Sequence, residues 1–130
     1  MEMTHTGGCL CEGVRYRISG ALRGVIACHC AQCRRTSGHH AAMTSAISAR
    51  IELTASETLL WYKSSDGAER GFCGRCGGNL FWRQFGRDET SITAGTLDTP
   101  TNVALEEHIF VADQSDYYKI SDDLPKKQHW

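Results

Sequence analysis

The chain has 130 residues, a formal net charge of -1 and a hydrophobic fraction of 41%, which predicts a single globular domain over residues 1–130. Proteins that bind nucleic acid usually carry a basic face, so this charge argues against nucleic acid as a partner. No run approaches the roughly 20 apolar residues that span a membrane, and residues 1–20 lack the apolar core of a signal peptide. We therefore expect a cytoplasmic protein.

Short strands are predicted along most of the chain, because runs of residues alternate apolar and polar side chains or are rich in β-branched and aromatic residues. The runs are residues 14–18, 25–27, 42–47, 51–54, 58–62, 79–85, 90–94 and 108–111. Gly7 and Gly8 are interpreted as a turn before the first run. A short helix is predicted at 32–36, ended by Gly38, and one turn near 100–103. The fold class is therefore mainly β, with a polar, partly ordered tail over residues 121–130.

The seven cysteines favour metal binding over disulfides, because cytosolic thiols are kept reduced and an odd number leaves one thiol unpaired. Four of them form the pairs Cys9/Cys11 and Cys73/Cys76. Each pair supplies two thiolates from one tight turn, and two such pairs complete a tetrahedral zinc site. The sequence predicts a structural zinc here, which joins distant parts of the chain. The alternative is four buried free thiols.

Cys28, Cys30 and Cys33 form a second cluster within six residues. Three protein ligands with an open fourth position are typical of a catalytic zinc. Such a metal accepts an external thiol and holds it as a thiolate at neutral pH. The alternative is a second structural zinc, closed by a histidine. His29, His39 and His40 are the candidates.

Arg34 and Arg35 follow directly after Cys33. They are candidates for binding the carboxylate of an acidic thiol such as glutathione, because the guanidinium group matches a carboxylate. The alternative is that both only offset thiolate charge or face solvent.

Three motifs and two short segments together resemble the glutathione-dependent formaldehyde-activating enzyme family (GFA/CENP-V). The motifs are Gly8-Cys9-x-Cys11-x-Gly13-Val14-Arg15-Tyr16, Cys28-His29-Cys30-x-x-Cys33-Arg34-x-x-x-Gly38 and Phe72-Cys73-x-x-Cys76-Gly77-x-x-Leu80-Phe81. The segments are Gly95-Thr96-Leu97-Asp98 and His108-Ile109-Phe110. The resemblance covers residues 7–124.

The resemblance implies an Mss4-like fold of curled antiparallel sheets stapled by zinc, with two zinc ions per chain. Cys9, Cys11, Cys73 and Cys76 match the structural ligands, and Cys28, Cys30 and Cys33 match the catalytic ones. The implied activity is that of a carbon-sulfur lyase acting on the adduct of glutathione and formaldehyde, S-hydroxymethylglutathione. The expected partner is thus a small thiol or its aldehyde adduct, and the oligomeric state stays open.

Two departures from the family pattern bear on the substrate. The chain is shorter than expected for the formaldehyde-activating enzyme itself, and Tyr117-Tyr118 stand where many relatives have a tryptophan. The alternative function is a non-catalytic zinc scaffold or protein-interaction module of Mss4-like architecture. The fourth ligand of the second site separates the two, because a protein ligand would close that site.

We interpret several other conspicuous side chains as structural rather than functional. The aromatic residues of the strand-like runs are expected in the core. They are Trp61, Phe81, Trp82 and Phe85. His5 and His129 are expected to be solvated, and Asp98 is expected to form a turn.

Overall fold

The computed structural model describes residues 3–130 and is built mainly from strands. Its ten strands are β1 (Thr4–Gly8), β2 (Val14–Ser19), β3 (Val25–Cys28), β4 (Ala41–Ile47), β5 (Ile51–Ser56), β6 (Leu59–Ser65), β7 (Ala68–Cys73), β8 (Asn79–Gln84), β9 (Glu89–Thr93) and β10 (Leu105–Ile109). One α-helix, α1 (Ala31–Ser37), follows β3, and three short 3-10 helices cover Ser48–Arg50, Ala94–Thr96 and Val111–Asp113. The mainly β prediction is confirmed.

The strands form two sheets. A three-stranded sheet has the order β1-β2-β5, and a seven-stranded sheet has the order β10-β3-β4-β9-β8-β7-β6. All pairs are antiparallel except β10 with β3, which run parallel. The small sheet is therefore antiparallel as expected, whereas the large sheet is mixed, and the Mss4-like assignment stays a prediction.

Two strands lie where the sequence predicted none. In β1, Gly7 and Gly8 pair with Tyr16 and Arg15, so the turn interpretation of these glycines is wrong. A Cβ atom at Gly7 would collide with the Tyr16 hydroxyl and the Thr96 carbonyl oxygen, so only glycine lets the two strands approach this closely. The other unpredicted strand, β7, contains a charged pair and a glycine in its sequence Ala-Glu-Arg-Gly-Phe-Cys.

The predicted short helix is confirmed as α1. Cys30 is its N-cap, with Sγ accepting a hydrogen bond from the Cys33 amide at 3.3 Å. Gly38 ends it in the left-handed conformation with φ of 79°, and its amide donates to the Arg34 carbonyl at 2.9 Å. Residues 100–103 form no helix in the structure.

The main core lies between the two sheets. Tyr16 and Ile18 of the small sheet pack with Leu80 and Ile92 of the large one, and all four are at most 1% exposed. The Tyr16 hydroxyl lies 2.8 Å from that of Thr96. Cys9 and Cys73 belong to this core, and Cys11 and Cys76 pack against it.

The predictions for single aromatic and polar side chains have mixed outcomes. Phe81 is buried as expected, but Phe85 is 47% exposed. Trp61 and Trp82 are half-buried. His5 is buried within β1, so the expectation that it is solvated is wrong, whereas His129 is exposed as predicted.

The C-terminal tail lies along β10. The His108 amide donates to the Pro125 carbonyl, and the Lys127 amide donates back to His108, both at 2.9 Å. Farther along, the Phe110 amide donates to the His129 carbonyl at 2.9 Å. These bonds place the last residue, Trp130, at the end of β3 and β10 where the second cysteine cluster lies.

No helix within residues 3–130 is long and apolar enough to cross a membrane.

Candidate metal centres

The first centre brings together Cys9, Cys11, Cys73 and Cys76, whose sulfur atoms all lie within 4.8 Å of one another. Cys9 and Cys11 lie in the turn between β1 and β2, Cys73 ends β7, and Cys76 lies in the turn between β7 and β8. The centre therefore brings the N-terminal segment, in the small sheet, next to the middle of the chain, in the large sheet. Cys9 and Cys73 are buried, which limits the access of water.

Hydrogen bonds favour the thiolate form of Cys73 in this first centre, whereas burial raises the pKa of Cys9. Backbone amides of Arg75 and Cys76 donate to Cys73 Sγ at 3.3 Å, and the Val14 amide donates to Cys9 Sγ at 3.3 Å. The Thr58 hydroxyl, followed by the Cys76 amide, lowers the pKa of Cys73 to about 5. Arg75 Nε lies 3.3 Å from Cys11 Sγ and offsets negative charge. Four clustered sulfurs with such donors suit a tetrahedral zinc ion.

The second centre brings together Cys28, Cys30 and Cys33, again with all sulfurs within 4.8 Å. Cys28 ends β3, Cys30 caps α1 and Cys33 lies in its first turn. Hydrogen bonds from Cys28 and then Cys33 lower the pKa of Cys30 to about 2, whereas hydrogen bonding to Cys30 raises the pKa of Cys28. The cluster thus loses its first proton readily, whereas the pKa values of Cys28 and Cys33 are raised.

Arg70 lies directly beside the second centre. It is 6% exposed, and its Nη2 lies 3.6 Å from Cys33 Sγ. Its Nε and Nη2 donate to Gln32 Oε1 at 3.0 and 2.6 Å, which orients the guanidinium group. Sequence reasoning missed Arg70, because it lies on the unpredicted strand β7. A buried guanidinium beside thiolates offsets their charge.

None of the three candidate histidines joins the second centre. Among residues 3–130, the ligand atoms that lie within 4.8 Å of one another there are the three sulfurs alone. The two ring nitrogens of His29 contact the Tyr118 hydroxyl and, at 2.8 Å, His108 Nδ1. His39 Nδ1 contacts the Tyr117 hydroxyl. His40 lines a separate cavity of about 390 Å³.

The contacts of His29 continue into the C-terminal tail. His108 Nε2 lies 2.8 Å from Asp122 Oδ2, which forms a chain of polar contacts from Tyr118 to Asp122. Burial, followed by the nearby His40, lowers the pKa of His29 to about 4, so this ring is neutral at pH 7. Tyr117 and Tyr118, noted in the sequence as a departure from the family, therefore pack on histidines behind the second centre.

The second centre opens into a cavity of about 440 Å³. The cavity is lined by the three cysteines together with apolar and polar side chains: Ile26, Met43, Trp82, Ile109, Phe110 and Trp130, and Arg23, Arg70, Gln84, Arg87, Glu89 and Ser91. Trp82, expected in the core, thus contributes to the cavity wall. Arg34 and Arg35 lie on α1 and are not among the lining residues, so their role as anion-binding groups stays a prediction.

Asp98, expected to form a turn, has a defined ionic partner. Arg15 Nη2 lies 2.6 Å from Asp98 Oδ2, and the Thr6 hydroxyl donates to the same oxygen at 2.7 Å. These contacts join the small sheet to the segment after β9. They also lower the pKa of Asp98, through Arg15 first and then Thr6.

Two known proteins are similar to most of this chain. An uncharacterized lyase of Schizosaccharomyces pombe is 25% identical over 118 residues, which cover 90% of this chain and 85% of the relative. A protein of Rhodobacter sphaeroides with a known crystal structure shares the fold, with a TM-score of 0.60 and 24% identity over 72% of this chain and 88% of that one.

A family model described as glutathione-dependent formaldehyde-activating enzyme matches residues 4–113. The match includes all seven cysteines and the strands that carry them. The chain therefore belongs to the glutathione-dependent formaldehyde-activating enzyme family.

Proposed function

We propose that this chain is a zinc-dependent carbon-sulfur lyase that acts on the adduct of a thiol with an aldehyde, such as S-hydroxymethylglutathione. The proposal rests on the geometry of the second centre. Three sulfurs lie together at a cavity, and no fourth protein ligand joins them among residues 3–130. Family membership and the lyase relative support the same class of reaction.

In the proposed reaction, the carbon-sulfur bond of the adduct breaks. Its electron pair stays on sulfur, the adduct hydroxyl loses its proton as the carbonyl bond forms, and the products are a free thiol and a free aldehyde. The reverse reaction joins the two, and neither direction needs an oxidant or a reductant. Zinc held by Cys28, Cys30 and Cys33 would supply a Lewis acid that keeps the substrate sulfur in the thiolate form at neutral pH.

The side chains around the second centre have separate proposed roles. Three thiolates and one zinc ion carry a formal charge of about -1, and Arg70 at 3.6 Å from Cys33 offsets it. We propose Arg34 and Arg35 as binding groups for the substrate carboxylates. Arg34 Nε is buried without a hydrogen-bond partner within residues 3–130, and neither arginine lines the cavity. The cavity walls limit the access of water to the reacting sulfur.

We propose a structural role for the first centre. Its four sulfurs complete a tetrahedral ligand set and connect the two sheets. A zinc ion with four protein ligands has no free position for a substrate.

Exchange NMR at neutral pH tests the proposed activity. Glutathione and formaldehyde should exchange with their adduct at least tenfold faster with the zinc-loaded wild type than with an equal concentration of Cys30→Ser. Serine is a good N-cap residue, so this variant should keep α1 and the first centre while losing a ligand of the second. Equal exchange rates for the two proteins, with glutathione and with other small thiols, would contradict the lyase proposal and favour a scaffold.

A further inference from the structure

The cavity at the second centre is larger than formaldehyde requires. Its volume of about 440 Å³ would hold on the order of 15 water molecules, whereas formaldehyde has a single carbon atom. Cavities of about 300–1,000 Å³ typically enclose ligands of the size of a drug molecule. The cavity therefore has room for the thiol half of the adduct as well as for the aldehyde carbon.

The wall of this cavity is largely apolar and aromatic. Ile26, Met43 and Ile109 come from strands, and Trp82, Phe110 and Trp130 add three aromatic rings. The Trp130 side chain belongs to a residue that is 77% exposed. A large indole that lines a cavity and remains this exposed can bury much more apolar surface when a ligand enters.

Phe110 and Trp130 are held at the cavity by an unusual backbone arrangement. Phe110 has φ of 56° and ψ of 37°, in the left-handed region that bulky residues rarely adopt. Its amide donates to the His129 carbonyl at 2.9 Å, and this bond also positions the neighbouring Trp130. Strained conformations of this kind occur most often where they place a side chain for binding.

Two of the three arginines that line the cavity have much of their hydrogen-bonding capacity in use, and the third, Arg87, lies 3.6 Å from the carboxylate of Glu89, which also lines the cavity. Arg23 donates through Nε and Nη2 to the Gly24 and Met43 carbonyls at 3.2 and 2.9 Å. Arg70 donates through the same two nitrogens to Gln32 Oε1. The free surface of the cavity is therefore dominated by its apolar side chains.

We infer that the substrate of this site is a thiol adduct that carries a bulky apolar group of aromatic size, packed against Trp82, Phe110 and Trp130. The inference rests on the proposed function, because it needs an open metal position for the sulfur. It deepens that function by naming the substrate class. The apolar group belongs to the thiol half of the adduct, because that half carries the sulfur held at the metal position.

Isothermal titration calorimetry of the zinc-loaded protein tests this inference with two thiols. 2-Phenylethanethiol and 2-mercaptoethanol share the same two-carbon thiol. The first carries a phenyl ring at its other end, and the second carries a hydroxyl group. We expect the phenyl thiol to bind at least tenfold more tightly. Trp130→Ala should reduce this preference to threefold or less, and Trp130→Phe should restore most of it, because a phenyl ring still offers an apolar face.

Tyr62→Ala is the matched control. Tyr62 is an aromatic residue of β6 that is 63% exposed and does not line the cavity, so its removal should leave the preference unchanged. Equal affinity of the wild type for both thiols would overturn the inference while leaving the open metal position, and with it the proposed function, intact. If neither thiol binds, both fail. A preference that is unchanged in Trp130→Ala would also overturn the role given to the aromatic wall.

Discussion

Arg70 is a buried cation that contacts the second centre. Its side chain links Gln32 and Cys33 of α1 to β7. Groups that contact metal ligands commonly change metal affinity by about 10–100-fold when they are removed. Arg70→Met leaves the thiolates without this cation, so we expect the second metal to dissociate at about tenfold lower chelator concentration. The first centre should keep its metal. Metal analysis after chelator titration measures both.

The control for Arg70→Met is Arg17→Met. Arg17 forms an exposed ion pair with Glu52 in the small sheet at 2.6 Å, away from both centres. Exposed ion pairs contribute at most about 1 kcal/mol. Equal chelator sensitivity of the two variants would contradict the role assigned to Arg70.

Tyr16 should make the stability of the protein depend on pH in alkaline solution. Burial raises its pKa to about 12, compared with about 10 for an unperturbed tyrosine. The stabilisation of the neutral phenol is complete below pH about 10 and is lost as the pH rises from 10 to 12, because the unfolded chain loses this proton first. Tyr16→Phe should flatten this part of the curve, at a cost of about 1 kcal/mol for the lost Thr96 contact.

Urea unfolding of the wild type and Tyr16→Phe at pH 8, 10 and 11 provides the measurement. The difference in the free energy of unfolding between the two proteins should narrow as the pH rises. Parallel curves across this range would show that Tyr16 does not keep its proton in the folded state.

The grouping of the cysteines could be predicted from the sequence, but several of their neighbours could not. The C-x-C and C-x-x-C spacings fix pairs of thiolates in single turns, so the two groups of sulfurs follow from local geometry. Arg70 approaches Cys33 from a different strand. His29 is adjacent in sequence to two of the clustered cysteines, yet its ring contacts Tyr118 and His108. Such contacts depend on tertiary packing, which local sequence patterns do not predict.

At the scale of elements, α1 depends on how its C-terminus ends. Gly38 has φ of 79°, and a non-glycine residue in this left-handed region costs about 1 kcal/mol. A Cβ atom there would meet no other atom within 4 Å, so backbone strain is the only expected effect. Gly38→Ala should lower the free energy of unfolding by about 1 kcal/mol, as measured by chemical denaturation.

Gly67→Ala is the comparison for Gly38→Ala. Gly67 also has open space around the position of a Cβ atom but lacks the left-handed φ. Its replacement should therefore leave stability within about 0.5 kcal/mol of the wild type or increase it slightly. Equal destabilisation by both substitutions would argue against the cap as the cause.

The strands with alternating side chains were predictable, whereas β1 and β7 were not. In β1, the sequence Thr-His-Thr-Gly-Gly has no aliphatic residue, and the strand forms because β2 offers it five paired positions. In β7, Glu69 and Arg70 interrupt the apolar pattern, although Arg70 is buried against α1. Both segments therefore form strands because of their pairing with neighbouring strands, in agreement with the strong effect of tertiary context on strand formation.

At the scale of the whole molecule, the first centre connects two sheets that otherwise meet through the core around Tyr16 and Leu80. Cys76→Ser should reduce soluble expression or release the structural zinc with loss of the fold, because metal binding contributes directly to folding energy. Cys30→Ser should remain folded and lose only the second metal. Thermal unfolding and metal content of the two variants test this contrast. A Cys76→Ser protein with wild-type stability and full metal content would contradict the structural role.

The central claim is that the two cysteine groups hold two different kinds of zinc site. A high-resolution crystal structure with anomalous data collected at the zinc absorption edge tests it most directly. The account predicts two zinc peaks: one surrounded by the sulfurs of Cys9, Cys11, Cys73 and Cys76, and a second bound to Cys28, Cys30 and Cys33 with water or a small thiol as its fourth ligand. A protein side chain in that fourth position, or zinc in the first centre alone, would contradict it.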